Sequence, residues 1–134
     1  MDKQFIDKLA YIYLVDDKVL VTLSHGKDAW YIPGGKREAG ESDEAALVRE
    51  IKEELTVDLL PDTIEYYGTF EAQAHGKPEG TMVRMTCYRA EFEGVMEPSN
   101  EIDKIDFFDH SRKLETSPVN HLIFDDLYEK GLIT

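Results

Sequence analysis

The sequence predicts an α+β fold, an α/β/α sandwich with a mixed sheet between helices. Three observations predict it. Apolar, β-rich runs come in pairs around short polar turns. Two stretches begin with a serine suited to cap a helix and continue at helical spacing. The strands do not alternate with helices as βαβ units would require.

The elements follow in chain order. In "LAYIYLVDDKVLVTLS", two apolar runs flank Asp16-Asp17-Lys18, the pattern of a hairpin. "HGKDAWYIPGG" comes next, and Pro33-Gly34-Gly35 marks a loop. Ser42 is placed to cap a helix, and Asp43 and Glu44 suit the positive end of its dipole. That helix runs to about Leu55. "IEYYGTFEAQA" and "TMVRMTCYRAEFEG" read as two strands of a long hairpin joined by the turn-rich "HGKPEG". "EIDKIDFFD" is a further short strand. In "SPVNHLIFDDLYEKGLI", Ser117 caps a second helix, Pro118 takes its first position and Gly131 stops it. No repeat, linker or low-complexity segment interrupts the chain, so residues 1–134 read as one domain.

Composition excludes several function classes. With 42% hydrophobic and 32% charged residues, the chain is not mainly disordered. A net charge of −13 repels nucleic-acid backbones and anionic membranes, so neither is expected as a partner. The same charge repels a phosphorylated small molecule unless a metal or a local basic patch intervenes. The lone Cys87 can form no intrachain disulfide and reads as buried packing. No apolar run reaches transmembrane length, and the start, "MDKQFIDKLAYIYLV", carries acids where a leader would be basic. A cytoplasmic protein is expected.

The first helix carries the chemistry. Like charges three or four residues apart each cost about 0.2–0.5 kcal/mol, yet Glu50, Glu53 and Glu54 share one side. With Glu50 at zero and about 100° per residue, Glu54 falls near 40° and Glu53 near 300°. Leu47, Ile51, Leu55 and Val48 cover an arc of roughly 60° to 160°. The carboxylates therefore border the buried stripe. Arg49, at roughly 260°, flanks Glu53 and can steer it. Carboxylates held at a core edge make a hard, oxygen-rich site suited to Mg²⁺, with Mn²⁺ as a substitute. Gly34 and Gly35 let backbone approach an ion or a phosphate, and Lys36 follows at once. A Glu-rich amphipathic helix alone would usually be a solvated face.

The spacing decides between these readings. From Gly35 the chain reads G, five residues, Glu41, seven residues, then "REIKEELTV" from Arg49. This closely resembles the box of the Nudix hydrolase family, MutT-like and single-domain: G-x5-E-x7-R-E-U-x-E-E-x-G-U, with U aliphatic. Only Thr56 departs, where the family has glycine. The lead-in "WYIPGGK" is similar too. The resemblance implies a Nudix-type α/β/α sandwich that hydrolyses a phosphoanhydride in a nucleoside diphosphate linked to another moiety. It implies Glu50, Glu53 and Glu54 as metal ligands, joined by the Gly35 carbonyl, with Arg49 orienting them. It leaves the water-activating base open among Glu53, Glu50 and a group from a later loop. Glu41 would brace the loop–helix junction. Since a β-branched residue tolerates positive φ badly, the helix is expected to exit at Thr56 by a different backbone route.

Outside the box several residues keep two readings. Lys36 and Arg84 are candidates to hold substrate phosphate, though Arg84 fits a cross-strand ion pair equally. Glu101 is either an additional acid near the metal or a surface residue. Trp30 and Tyr31 can stack a base or pack in the core. "HGKPEG" either lies over the substrate or simply ends a hairpin. His25, His75, His110 and His121 share no zinc spacing. The expected substrate is a small-molecule nucleotide, first a nucleoside triphosphate cleaved as by a pyrophosphohydrolase. ADP-ribose, a nucleoside diphosphate sugar or a dinucleotide comes second, and a non-catalytic nucleotide sensor is the rival class. A homodimer is left open.

Overall fold

The computed structural model describes residues 4–74 and 76–134, so the readings that touch residues 1–3 and His75 lie outside the described residues. In chain order come β1 (Gln4–Tyr11), β2 (Leu14–Val15), β3 (Lys18–Ser24), β4 (Gly34–Gly35) and α1 (Asp43–Leu55). Then follow β5 (Asp58–Leu59), β6 (Glu65–Gln73), β7 (Thr81–Arg89), β8 (Phe92–Glu93), β9 (Ile102–Phe108) and α2 (Pro118–Glu129). Short 3₁₀ turns span Pro61–Thr63 and His110–Glu115.

The strands form a middle layer. A mixed sheet runs β4-β1-β7-β6, with β1 and β7 parallel and the other pairs antiparallel. A second sheet runs β2-β3-β9, and β5 pairs with β8. Side-chain alternation along the strands builds two cores. Leu9, Tyr11 and Leu20 pack with Leu47, Ile51 and Leu55 of α1. Ala10, Ile12, Val19 and Val21 pack on the opposite side with Ile123, Phe124 and Leu127 of α2. Each fully buried Leu or Ile contributes about 1.5–3 kcal/mol, and this double burial makes the sandwich. No helix among the described residues is long and apolar enough to cross a membrane.

The expected first hairpin is only partly present. β2 and β3 do pair across Asp16-Asp17, and both residues take positive φ (53° and 61°), as a two-residue type I′ turn demands. However, the first apolar run splits. Its longer part is β1, which joins the other sheet alongside the distant β7. The β6–β7 hairpin forms as read. Ser42 caps α1, its side chain accepting from the Ala45 N–H at 3.1 Å. Cys87 is buried, and that burial pushes its thiol pKa up.

Thr56 corrects an expectation. It adopts the left-handed conformation (φ 62°, ψ 15°) that the glycine would have taken, and its N–H donates to the Lys52 carbonyl at 3.0 Å. The chain must reverse here because Val57 and Leu59 return into the core. The Thr56 hydroxyl donates to the Leu55 carbonyl at 2.6 Å, which offsets part of the strain.

Candidate active site

Three pieces of chain meet beside α1. The first is the Pro33-Gly34-Gly35 loop, where β4 pairs with Leu9 and Ala10 of β1. A Cβ on Gly34 would fall on the Leu9 carbonyl, and one on Gly35 would run into the Glu50 carboxylate. Bare backbone thus lies directly against the helix carboxylates. Asn120 of α2 anchors the entry to this loop. Its Oδ1 accepts from the Ile32 N–H at 3.0 Å, and its Nδ2 donates to Ser117 Oγ at 2.8 Å.

The second piece is the polar edge of α1. Burial follows the angular order along the helix: Glu54, nearest the apolar stripe, is 4% exposed, while the Glu50 side chain is 15% and that of Glu53 45% exposed. The Gly34 N–H donates to Glu54 Oε1 at 3.4 Å. Burial, then the touching Glu50 carboxyl, push the Glu54 pKa up to about 9, and the Glu101 charge adds to this.

Arg49 organises the remainder. It grips Glu41 with two hydrogen bonds, Nε at 2.7 Å and Nη2 at 2.8 Å. Its Nη1 reaches Glu50 at 2.9 Å and Glu53 at 3.4 Å, and its Nη2 donates to the Lys36 carbonyl at 3.0 Å. Glu41 also accepts from the Glu38 N–H at 2.7 Å. The Arg49 guanidinium, with that N–H, holds the Glu41 pKa down to about 2. Arg49 therefore ties loop to helix and sets the Glu50 carboxylate.

The three glutamates do not gather as one cluster. Glu50 and Glu54 touch, whereas Glu53 turns toward Arg49 on the adjoining, more exposed side. Among the described residues no three His, Cys, Asp or Glu groups are arranged as a ready metal cluster. The physical reason is the competition of Arg49, four residues before Glu53, on the side away from the buried stripe. The donor set still fits a hard divalent cation. A buried carboxyl that touches a second one beside a glycine backbone is where a cation would replace its proton.

The third piece is a cavity of about 320 Å³ at the Glu54 end of this edge. Gly34 and Glu54 form one wall, and Glu101 lies beside them. A register shift between β3 and β9 at Leu23/Ser24 and a bond from the His25 N–H to the Glu101 carbonyl (2.8 Å) bring Glu101 there. Tyr31 faces the same space, with the Lys8 ammonium 5.7 Å from its ring centroid. Lys8, Lys27 and Lys77 complete the lining.

Other candidates go elsewhere. Trp30 packs on Phe108 with centroids 5.1 Å apart and lines a separate groove with Tyr13, Phe92 and Phe107. Neighbours in extended chain point to opposite sides, so Tyr31, not Trp30, reaches the Glu54 cavity. Arg84 takes the ion-pair alternative, bonded to Glu71 at 2.7 Å, near Asp7 at 3.5 Å and over the Phe5 ring. It does not line the cavity. The Lys36 side chain is exposed, and its charge is close enough to repel that of Lys8. His25, His110 and His121 bond separately to Asp103, Asp125 and the Thr116 carbonyl. Sequence reasoning missed Lys8, Lys27 and Lys77. They are scattered along the chain, and only the requirement for a local basic patch pointed to them.

Comparison with known proteins agrees with this geometry. The family model for the NUDIX domain matches residues 8–121. The mRNA-decapping enzyme subunit 2 of Saccharomyces cerevisiae (strain YJM789) is 31% identical over 99 residues, covering 74% of this chain and 10% of the relative. The match thus spans only a tenth of that relative's length. The MutT protein from Bacillus halodurans is 27% identical with a TM-score of 0.68, covering 89% of this chain and 79% of that one. The E. coli ORF135 protein shares the fold at 23% identity, with a TM-score of 0.73 over 95% of this chain and 91% of that one.

Proposed function

This chain belongs to the NUDIX family, and we propose that it hydrolyses nucleoside diphosphate derivatives, as a Mg²⁺-dependent pyrophosphohydrolase of nucleoside triphosphates. One observation carries the reading. Glu54 is buried against Glu50 and bare glycine backbone, and among the described residues no cationic side chain forms an ion pair with it. A carboxylate in that position has a use only when a cation joins it.

In this reading Glu50, Glu54 and the Gly35 carbonyl would hold Mg²⁺, Glu53 joining them by turning away from Arg49, and Mn²⁺ could replace it. When bound, the ion would supply Lewis acidity and acidify a water. Arg49 aims the Glu50 carboxyl. Glu53, exposed and loosely held at 3.4 Å, is placed to take a proton from water, and Glu101, in the same cavity lining as Glu54, is the other acceptor. Water adds to phosphorus, the phosphoanhydride P–O bond breaks, and the leaving phosphate oxygen carries away the electron pair. Residues 1–134 act as one domain, in the cytoplasm, on a free nucleotide. The decapping relative acts on mRNA by its name, but a net charge of −13 repels a nucleic-acid backbone and favours the small substrate here.

A panel of nucleotides with Mg²⁺, scored for released pyrophosphate and phosphate, tests this. Pyrophosphate from at least one nucleoside triphosphate is the expected result. Cleavage confined to nucleoside diphosphate sugars or dinucleotides, with every triphosphate inert, would overturn it.

A further inference from the structure

We propose that Lys8, Lys27 and Lys77 form a phosphate-gripping subsite that selects substrates with a free terminal phosphate over nucleoside diphosphates whose outer phosphate is esterified. What the subsite serves rests on the hydrolase reading, whereas its capacity to bind a polyphosphate does not.

The three lysines come from separate elements: β1, the segment after β3 and the β6–β7 turn. They line one cavity with Glu54 and Gly34. The chain holds 28 acidic against 15 basic residues, so a carboxylate partner is easy to supply. Arg49, Arg84, Arg112, Lys52, Lys113 and Lys130 each pair with one, whereas among the described residues Lys18, Lys36, Lys104 and Arg89, scattered over the surface, form no such pair. Among the described residues no such pair forms at Lys8, Lys27 or Lys77. Instead, burial and the repulsion of Lys36, Lys27 and Lys77 hold the Lys8 pKa below the ordinary value, with the Glu54 charge acting the other way.

Three ammonium groups gathered around one cavity without a side-chain ion pair among the described residues, in a strongly acidic chain, mark a place for an anion that arrives from solution. The neighbouring carboxylates Glu54 and Glu101 set its orientation, because an anion is repelled at their end unless a cation screens them. A terminal phosphate carries about −1.5 to −2 at neutral pH. An outer phosphate esterified to a sugar cannot take the second charge. Three ammonium groups therefore favour the free terminus.

The test uses Lys8→Gln, Lys27→Gln, Lys77→Gln and the double variant of the last two, with Lys52→Gln as control. Lys52 lies in the last turn of α1 on the side of the helix away from Glu54, where it pairs with Asp58. Binding of inorganic tripolyphosphate is measured by calorimetry in EDTA. Steady-state kinetics with Mg²⁺ are measured on a nucleoside triphosphate and on the nucleoside diphosphate sugar of the same base. Each site substitution should weaken tripolyphosphate binding roughly tenfold, the worth of one hydrogen bond to a charged group. KM for the triphosphate should rise similarly, with kcat and the sugar substrate changing less than about threefold. The control should match the parent. Unchanged tripolyphosphate binding, or equal losses on both substrates, would overturn the subsite. Lost tripolyphosphate binding in a protein that hydrolyses no nucleotide would instead uphold the subsite and overturn the hydrolase reading alone.

Discussion

The two helices each bury a polar side chain, and they do so on opposite terms. On α2, Asn120 is fully buried and satisfied in both directions, by the Ile32 N–H and by Ser117 Oγ. On α1, Glu54 is nearly as buried, but it has only a long bond from the Gly34 N–H and a second carboxyl for company. The first arrangement is complete and holds the loop in place. The second is incomplete and calls for a ligand. The same contrast separates Arg84, enclosed by Glu71 and Asp7, from the cavity lysines, which form no ion pair among the described residues. Satisfied polar groups build this protein, and unsatisfied ones mark where it works.

Glu54→Gln should break the contrast most sharply. The change is nearly isosteric, so activity should fall on the order of 10²-fold or more, the scale for one catalytic carboxylate. Metal-free stability should hold or rise, because the amide removes a buried ionisable group. Glu44→Gln, on the exposed first turn of the same helix, should leave kcat unchanged. Equal losses for the two variants, measured as kcat, would reduce α1 to a charged surface.

Asn120→Ala should act the other way. It leaves the buried Ile32 N–H without its acceptor and should cost about 1–3 kcal/mol, read by urea denaturation. Activity per folded molecule should fall less than with Glu54→Gln. A variant as stable as the parent would show that the loop needs no anchor from α2.

The smallest effect concerns the α1 exit. Thr56 sits at φ 62°, where a non-glycine residue stores about 1–2 kcal/mol. Thr56→Gly should relieve part of this and stabilise the protein by up to about 1 kcal/mol after loss of the hydroxyl bond. Its kcat should stay within a few-fold of the parent.

Much of the fold could be read locally. Ser42, the apolar arc and the box spacing gave α1 its limits, and Ser117, Pro118 and Gly131 gave α2 its own. Local patterns could not show that the first apolar run would be shared between two sheets. That depends on β1 pairing with β7, far along the chain. The helix angles ordered Glu54, Glu50 and Glu53 correctly by burial, but they could not show Arg49 drawing Glu53 aside. Thr56 misled because propensity was set against a core that required Val57 to turn inward. Lys8 carries no local signal of its own in the sequence. Its meaning comes from Lys27 and Lys77, which only the meeting of the two sheets brings near.

The central claim is that Glu54 and Glu50 form a divalent-cation site, and one thermal-unfolding experiment tests it directly. The Glu54 pKa rises from 4.5 to about 9 in the metal-free fold. The folded state thus binds the extra proton between those values, and metal-free stability should fall as pH rises through that window. Mg²⁺ must displace the proton, so its stabilisation should grow over the same window. The ceiling is about 2.7 kcal/mol at a hundredfold excess over Kd. Melting temperatures of parent and Glu54→Gln should be compared, with Mg²⁺ and with EDTA, at about pH 6 and pH 8.5. The predicted result is a Mg²⁺ gain in the parent that is larger at the higher pH and largely absent in Glu54→Gln. The same gain in both proteins at both pH values would contradict the claim.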